Sequence, residues 1–175
     1  MGKNVSIDKK NIQRDLHEFL QTFAETLTKT AADKITADAK ASIEEYYLDY
    51  EPKYYKRTFD LLHNSFYRHY ENHGHTYWGG VILSPSRMKD YVTRGFLSNT
   101  QTITKKEDVF KWTWLKGFHG YNWGIEDGSR WIYPIQTTPP ISKLLQRFND
   151  KAFYEYLKKE ALSKAKKKSY KYLKF

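Results

Sequence analysis

A chain of 175 residues is long enough to bury a core as one domain, and with no cysteine it has no disulfide framework, thiolate zinc site, iron–sulfur cluster or cysteine nucleophile. Its net charge of +10 favours an acidic surface or nucleic acid as partner, and fifteen Tyr, ten Phe and five Trp favour an aromatic core or contact surface. No apolar run approaches the ~20 residues of a membrane span and no signal-peptide pattern opens the chain, so a soluble protein of a cytosol, without membrane partners, is expected.

Between Gly2 and Pro52 there is no Gly or Pro. Ile12, Leu16, Phe19, Leu20, Phe23, Leu27, Ala31, Ile35, Ala39, Ile43 and Tyr46 recur every three or four positions, with charged residues such as Arg14, Glu18, Lys29, Asp33 and Lys40 between them. That period predicts one long amphipathic helix, or two joined end to end, capped by Ser6, with Asp8 in the first turn and a stop before Pro52. A continuous helix of this length runs ~60 Å, more than the core of a domain this size is wide, so part of it must find neighbours outside. The N-terminal half, with Leu16, Phe19, Phe23 and Leu27, is the expected oligomer interface. For the C-terminal half, covering a local sheet and contacting a neighbour are equally open.

After Pro52, residues 53–65 read as a turn-like segment leading into a strand at Phe66. Asn72 to Gly74 supply turn chemistry, and Thr76 to Leu83 read as a second strand bent at Gly79-Gly80, together a hairpin. Residues 86–106 lack periodicity and read as a long surface loop or insertion. Phe110, Trp114 and Phe118 fit a short helix ending at Gly117, although Phe110, Trp112 and Trp114 also fit a strand. Gly117 to Gly128 reads as a set of loops, and Trp131 to Ile135 as a strand. Pro139-Pro140 then open a helix carrying Ile141, Leu144, Phe148, Leu157 and Ala161. The order predicts an α+β fold: a single domain over residues 1–163 with a long N-terminal helix, a small antiparallel sheet and a C-terminal helix, followed by a basic aromatic tail over 164–175. In that tail Tyr170, Tyr172 and Phe175 are candidate contacts to a partner protein, and Lys166, Lys167 and Lys168 are candidate contacts to nucleic acid.

Motifs for chemistry are thin. Gly117 to Gly128 has neither a phosphate-loop lysine nor a strand-to-helix glycine fingerprint. His63, His69, His73 and His75 cluster in sequence as metal ligands of a hydrolase would, but turn and surface histidines account for them as well. Asp49, Glu51, Glu126 and Asp127 form no acid/base pair by spacing. No catalytic residue, cofactor or metal site is expected.

The segment Ala31-Ala32-Asp33-Lys34-Ile35-Thr36-Ala37-Asp38-Ala39-Lys40, the stop before a proline, and Thr58, Leu61 and Ser65 opening the first strand resemble the tail-completion and head-to-tail joining (neck) proteins of tailed bacteriophages. The helix before Gly117 and the helix led by Pro139-Pro140 resemble later elements of that family. Where the family carries a glycine after the threonine this chain has Phe59, and residues 84–106 read as an insertion. The resemblance implies a virion structural protein without catalysis, made in the host cytoplasm and assembled as a homo-oligomeric ring at the neck. Its implied partners are other neck, connector or tail proteins and, as a further contact, the DNA passing through. A basic nucleic-acid-binding protein is the alternative.

Overall fold

The computed structural model describes residues 9–49, 59–94, 101–126 and 129–169. Its elements are α1 (Lys9–Leu48), α2 (Asp60–Asn64), β1 (Phe66–Asn72), β2 (Tyr77–Leu83), a 3-10 turn (Pro85–Arg87), β3 (Tyr91–Arg94), β4 (Gln101–Thr104), α3 (Lys106–Lys116), β5 (Phe118–Glu126), β6 (Ser129–Gln136), α4 (Pro140–Phe148) and α5 (Lys151–Ser169). The strands pair as β1 with β2, β3 with β4 and β5 with β6. The class is α+β, with the long N-terminal helix as expected. It is one unbroken helix of 40 residues. Ser6, Asp8 and Pro52 lie outside the described residues.

The chain divides into two compact units: a terminal unit of Met1–Asp33, His69–Gly80 and Lys151–Phe175, and a central unit of Lys34–Arg68 and Val81–Asp150. In the central unit one buried cluster gathers Ala39, Ile43 and Tyr46 from α1, Leu61 from α2, Met88, Trp114 from α3 and Leu144 from α4. Half-buried Phe66, Val81, Leu83 and Phe110 pack around it. The C-terminal half of α1 is therefore a core helix.

A buried polar chain fixes this core. The Trp114 Nε1–H donates to Ser65 Oγ at 2.9 Å, the Ser65 hydroxyl donates to the Leu61 carbonyl, and the Ser84 N–H donates to the Ser65 carbonyl at 2.9 Å. Each polar group taken from water thus regains a partner. Nearby, the Tyr46 ring stacks on His119 with centroids 3.8 Å apart, and its hydroxyl donates to the Phe118 carbonyl at 2.7 Å. Helix α3 ends where expected, because Gly117 adopts φ 62° and its N–H returns to the Thr113 carbonyl at 3.0 Å. A Cβ at Gly117 would lie 2.1 Å from the Thr137 carbonyl oxygen, so only glycine fits. The start of α3 is capped from a distance. Asp90 accepts from the Lys106 N–H and from the Lys105 ammonium, each at 3.0 Å. The backbone hydrogen bond from Lys106, then the Lys105 contact, hold the Asp90 carboxyl below the usual carboxylate range.

Four expectations are corrected. The turn-like segment before Ser65 contains a helix, α2. The supposed loop over 86–106 holds the β3–β4 ribbon, in which Val92 pairs with Ile103 and Thr93 with Thr102. Val92 and Ile103, opposite each other on one face, are both exposed, so that face carries apolar residues outward and gives the sequence no inward-facing period. The glycine-rich stretch after Gly117 is strand β5, antiparallel to β6 with Gly120 opposite Ile135 and Gly124 opposite Trp131. Its glycines sit in a paired strand, where tertiary pairing overrides their turn preference. The closing helix is two helices, α4 and α5, parted at Asn149-Asp150, residues that favour caps over helix interiors. Helix α5 continues to Ser169, which places Lys166, Lys167 and Lys168 in its last turn. Tyr170, Tyr172 and Phe175 lie outside the described residues.

Candidate assembly interface

In the terminal unit, α1 is covered along one side by the tip of the β1–β2 hairpin. The tip is a tight turn in which Gly74 takes φ 81°, the Asn72 side chain accepts from the Gly74 N–H at 2.9 Å, and the His73 N–H donates to the Thr76 carbonyl at 2.9 Å. From there β2 runs alongside α1. The His75 ring meets His17 at 5.7 Å, the Lys29 ammonium lies 5.1 Å from the centre of the Tyr70 ring, and Gly79 faces Thr28. A Cβ at Gly79 would come within 2.6 Å of both Thr28 Cγ2 and the Thr28 carbonyl oxygen, so the missing side chain sets how closely strand and helix approach.

The hairpin leaves an apolar line of α1 in solvent. Ile12, Leu16 and Leu20, spaced by four, are 50%, 55% and 53% exposed. Phe19 and Phe23 stack on each other at 6.4 Å and are half-buried, as is Leu27. Of the four residues expected at the interface, Leu16 is thus strongly exposed, while Phe19, Phe23 and Leu27 are partly used within the chain. Ile12 and Leu20 belong beside Leu16. They are part of the same helical stripe, and their four-residue spacing from Leu16 is the signal that singles them out.

Magnitude limits what this line can do alone. Burying the exposed halves of three such side chains contributes about 3 kcal/mol per protomer, against an association cost of roughly 4–15 kcal/mol. A stable assembly needs further contact area, and the terminal unit exposes Trp78 and Tyr154, side chains suited to interfaces.

His69 Nε2 lies 3.3 Å from one Glu71 oxygen and His73 Nε2 lies 2.9 Å from the other, so the carboxylate sits between two imidazoles. The hydrogen bond to His73 is the main reason the Glu71 carboxyl is held below its ordinary range. His63 is exposed on α2 of the central unit. Among the described residues no group of three or more His, Asp or Glu side chains has the geometry to hold a metal ion. Asp49 is engaged in a structural pair, accepting from the Lys143 ammonium at 2.8 Å. Glu51 and Asp127 lie outside the described residues. No helix among those residues is long and apolar enough to cross a membrane. No protein-family model, curated protein or solved structure matches the chain.

Proposed function

We propose that the chain is a structural subunit of a tailed-phage virion, a homo-oligomeric ring that completes the junction between the head connector and the tail. The observation that carries this reading is Phe59. It is the single non-glycine residue with positive φ among the described residues, at φ 56° and ψ 16°, and it stands where the resembling family carries glycine. A left-handed backbone costs an ordinary residue on the order of 1–2 kcal/mol, which glycine avoids. A glycine at this position would relieve that cost, and in this chain the Phe59 ring is set edge-on to Tyr47 at 5.2 Å in partial compensation.

The Ile12, Leu16 and Leu20 line gives such a subunit a surface for its neighbour. In a ring each subunit meets the next through two different patches, so a stripe on one helix need not be self-complementary. Electron microscopy of the purified protein is the test. Closed rings, matched by density at the neck of the parent particle, are the expected result, and a monomer at tens of micromolar in all salt conditions would overturn the reading.

A further inference from the structure

We infer that the outward face of α5 is a binding surface for the phosphate backbone of duplex DNA. Helix α5 carries seven lysines against two glutamates. Its inner stripe is Phe153, Leu157, Ala161 and Ala165, buried at four-residue spacing, and this fixes which face turns outward. On that outward face Tyr156, Lys159, Ser163 and Lys166 follow one another at three- and four-residue spacing, flanked by Lys158, in a shallow concavity whose one acid is Glu155. Lys167 is exposed beside them.

Two ordinary explanations for so many lysines fall short. Cations in the last turn of a helix complement the partial negative charge of its terminal carbonyls, which accounts for Lys166, Lys167 and Lys168. Lys158 and Lys159 stand about two turns before Lys166, beyond the reach of that effect. Pairing within the helix would also hold lysines in place. Yet among the described residues no carboxylate forms an ion pair with Lys158, Lys159, Lys166 or Lys167, although Glu155 lies one turn from Lys159.

The spacing suits a rigid polyanion. Lys159 and Lys166 are seven residues apart, about 10 Å along the helix axis, and long flexible side chains let such a row follow the closely spaced charges of a duplex. Tyr156 is the lone aromatic of the row, too few for the stacking platforms that hold single strands. The surface therefore reads backbone charge and not sequence. This inference does not rest on the ring reading, since a monomer can bind DNA and a ring can form without it.

The test is fluorescence anisotropy of the full chain on a 30-base-pair duplex of arbitrary sequence. Four phosphate contacts predict an affinity that falls roughly a hundredfold between 50 and 200 mM salt. The variant Lys158→Gln/Lys159→Gln/Lys166→Gln/Lys167→Gln should keep its helix content by circular dichroism, because Gln and Lys are similar helix formers, and its wild-type assembly state. It should lose at least tenfold in affinity at 50 mM salt, with a nearly flat salt dependence. A charge-matched control in the central unit, Lys40→Gln/Lys89→Gln/Lys111→Gln/Lys116→Gln, should bind like wild type. The inference is overturned by no binding at 50 mM salt, by an equal loss in the control, or by poly-glutamate binding as tightly as DNA, which would mark an acidic protein as the partner.

Discussion

The two halves of α1 share one helix and one apolar period, but they meet different fates. In the C-terminal half, Ala39, Ser42 and Ile43 are fully buried, whereas Ile12, Leu16 and Leu20 in the N-terminal half are at least half exposed. The buried Ser42 hydroxyl is satisfied by its own helix through the Asp38 carbonyl at 2.8 Å. The N-terminal half carries Leu and Phe that project beyond what the hairpin covers. Amphipathic period marks a face that excludes water; it does not say whether the cover comes from the same chain.

That contrast can be broken first where burial is greatest. Trp114→Ala removes a fully buried ring and strips Ser65 of its donor, and should destabilise the central unit by about 3–5 kcal/mol in urea unfolding followed by far-UV circular dichroism. Leu16→Ala in the monomer should cost no more than about 0.5 kcal/mol. Equal losses would mean that Leu16 is packed as tightly as the core that Ala39, Ile43 and Tyr46 of α1 share with Trp114.

The terminal unit can be probed by a glycine pair. Gly79→Ala forces a methyl against the Thr28 carbonyl and should cost roughly 1–3 kcal/mol, while Gly80→Ala, with nothing within 4 Å, should be neutral or slightly stabilising. Indistinguishable unfolding midpoints for the two variants would refute the close approach of β2 to α1. The smallest effect concerns Asp90. Its folded-state carboxyl is held below the unfolded value, so the cap contributes stability fully above the unfolded value, near pH 4, and loses it as the pH falls through the folded value. Asp90→Asn should flatten that part of the stability–pH curve relative to wild type. An unchanged curve would show that the cap does not act in solution.

Much of this architecture is legible in the sequence because its signals are local. The unbroken stripe from Ile12 to Tyr46 gives α1, Gly117 gives the end of α3, and Pro139-Pro140 give the start of α4. What escapes is set by contacts distant in sequence. The β3–β4 ribbon pairs Val92 with Ile103 on a face left in solvent, and the capping of α3 by Asp90 joins residues fifteen or more apart. Strand β5 is hidden by its own glycines, which signal turns unless β6 is there to pair with them. At the candidate interface Leu16 is legible as an apolar helix position, but the burial of Phe19, Phe23 and Leu27 depends on the rest of the fold and cannot be read from period alone.

Sedimentation velocity of the double variant Leu16→Asp/Leu20→Asp tests the proposed assembly role of the N-terminal half most directly. Both side chains are more than half exposed in the single chain, so the charges should leave the fold intact by circular dichroism, and buried at an interface they should be strongly unfavourable. A folded monomer where the wild type forms a closed oligomer is the predicted result. A variant that assembles like the wild type would contradict it.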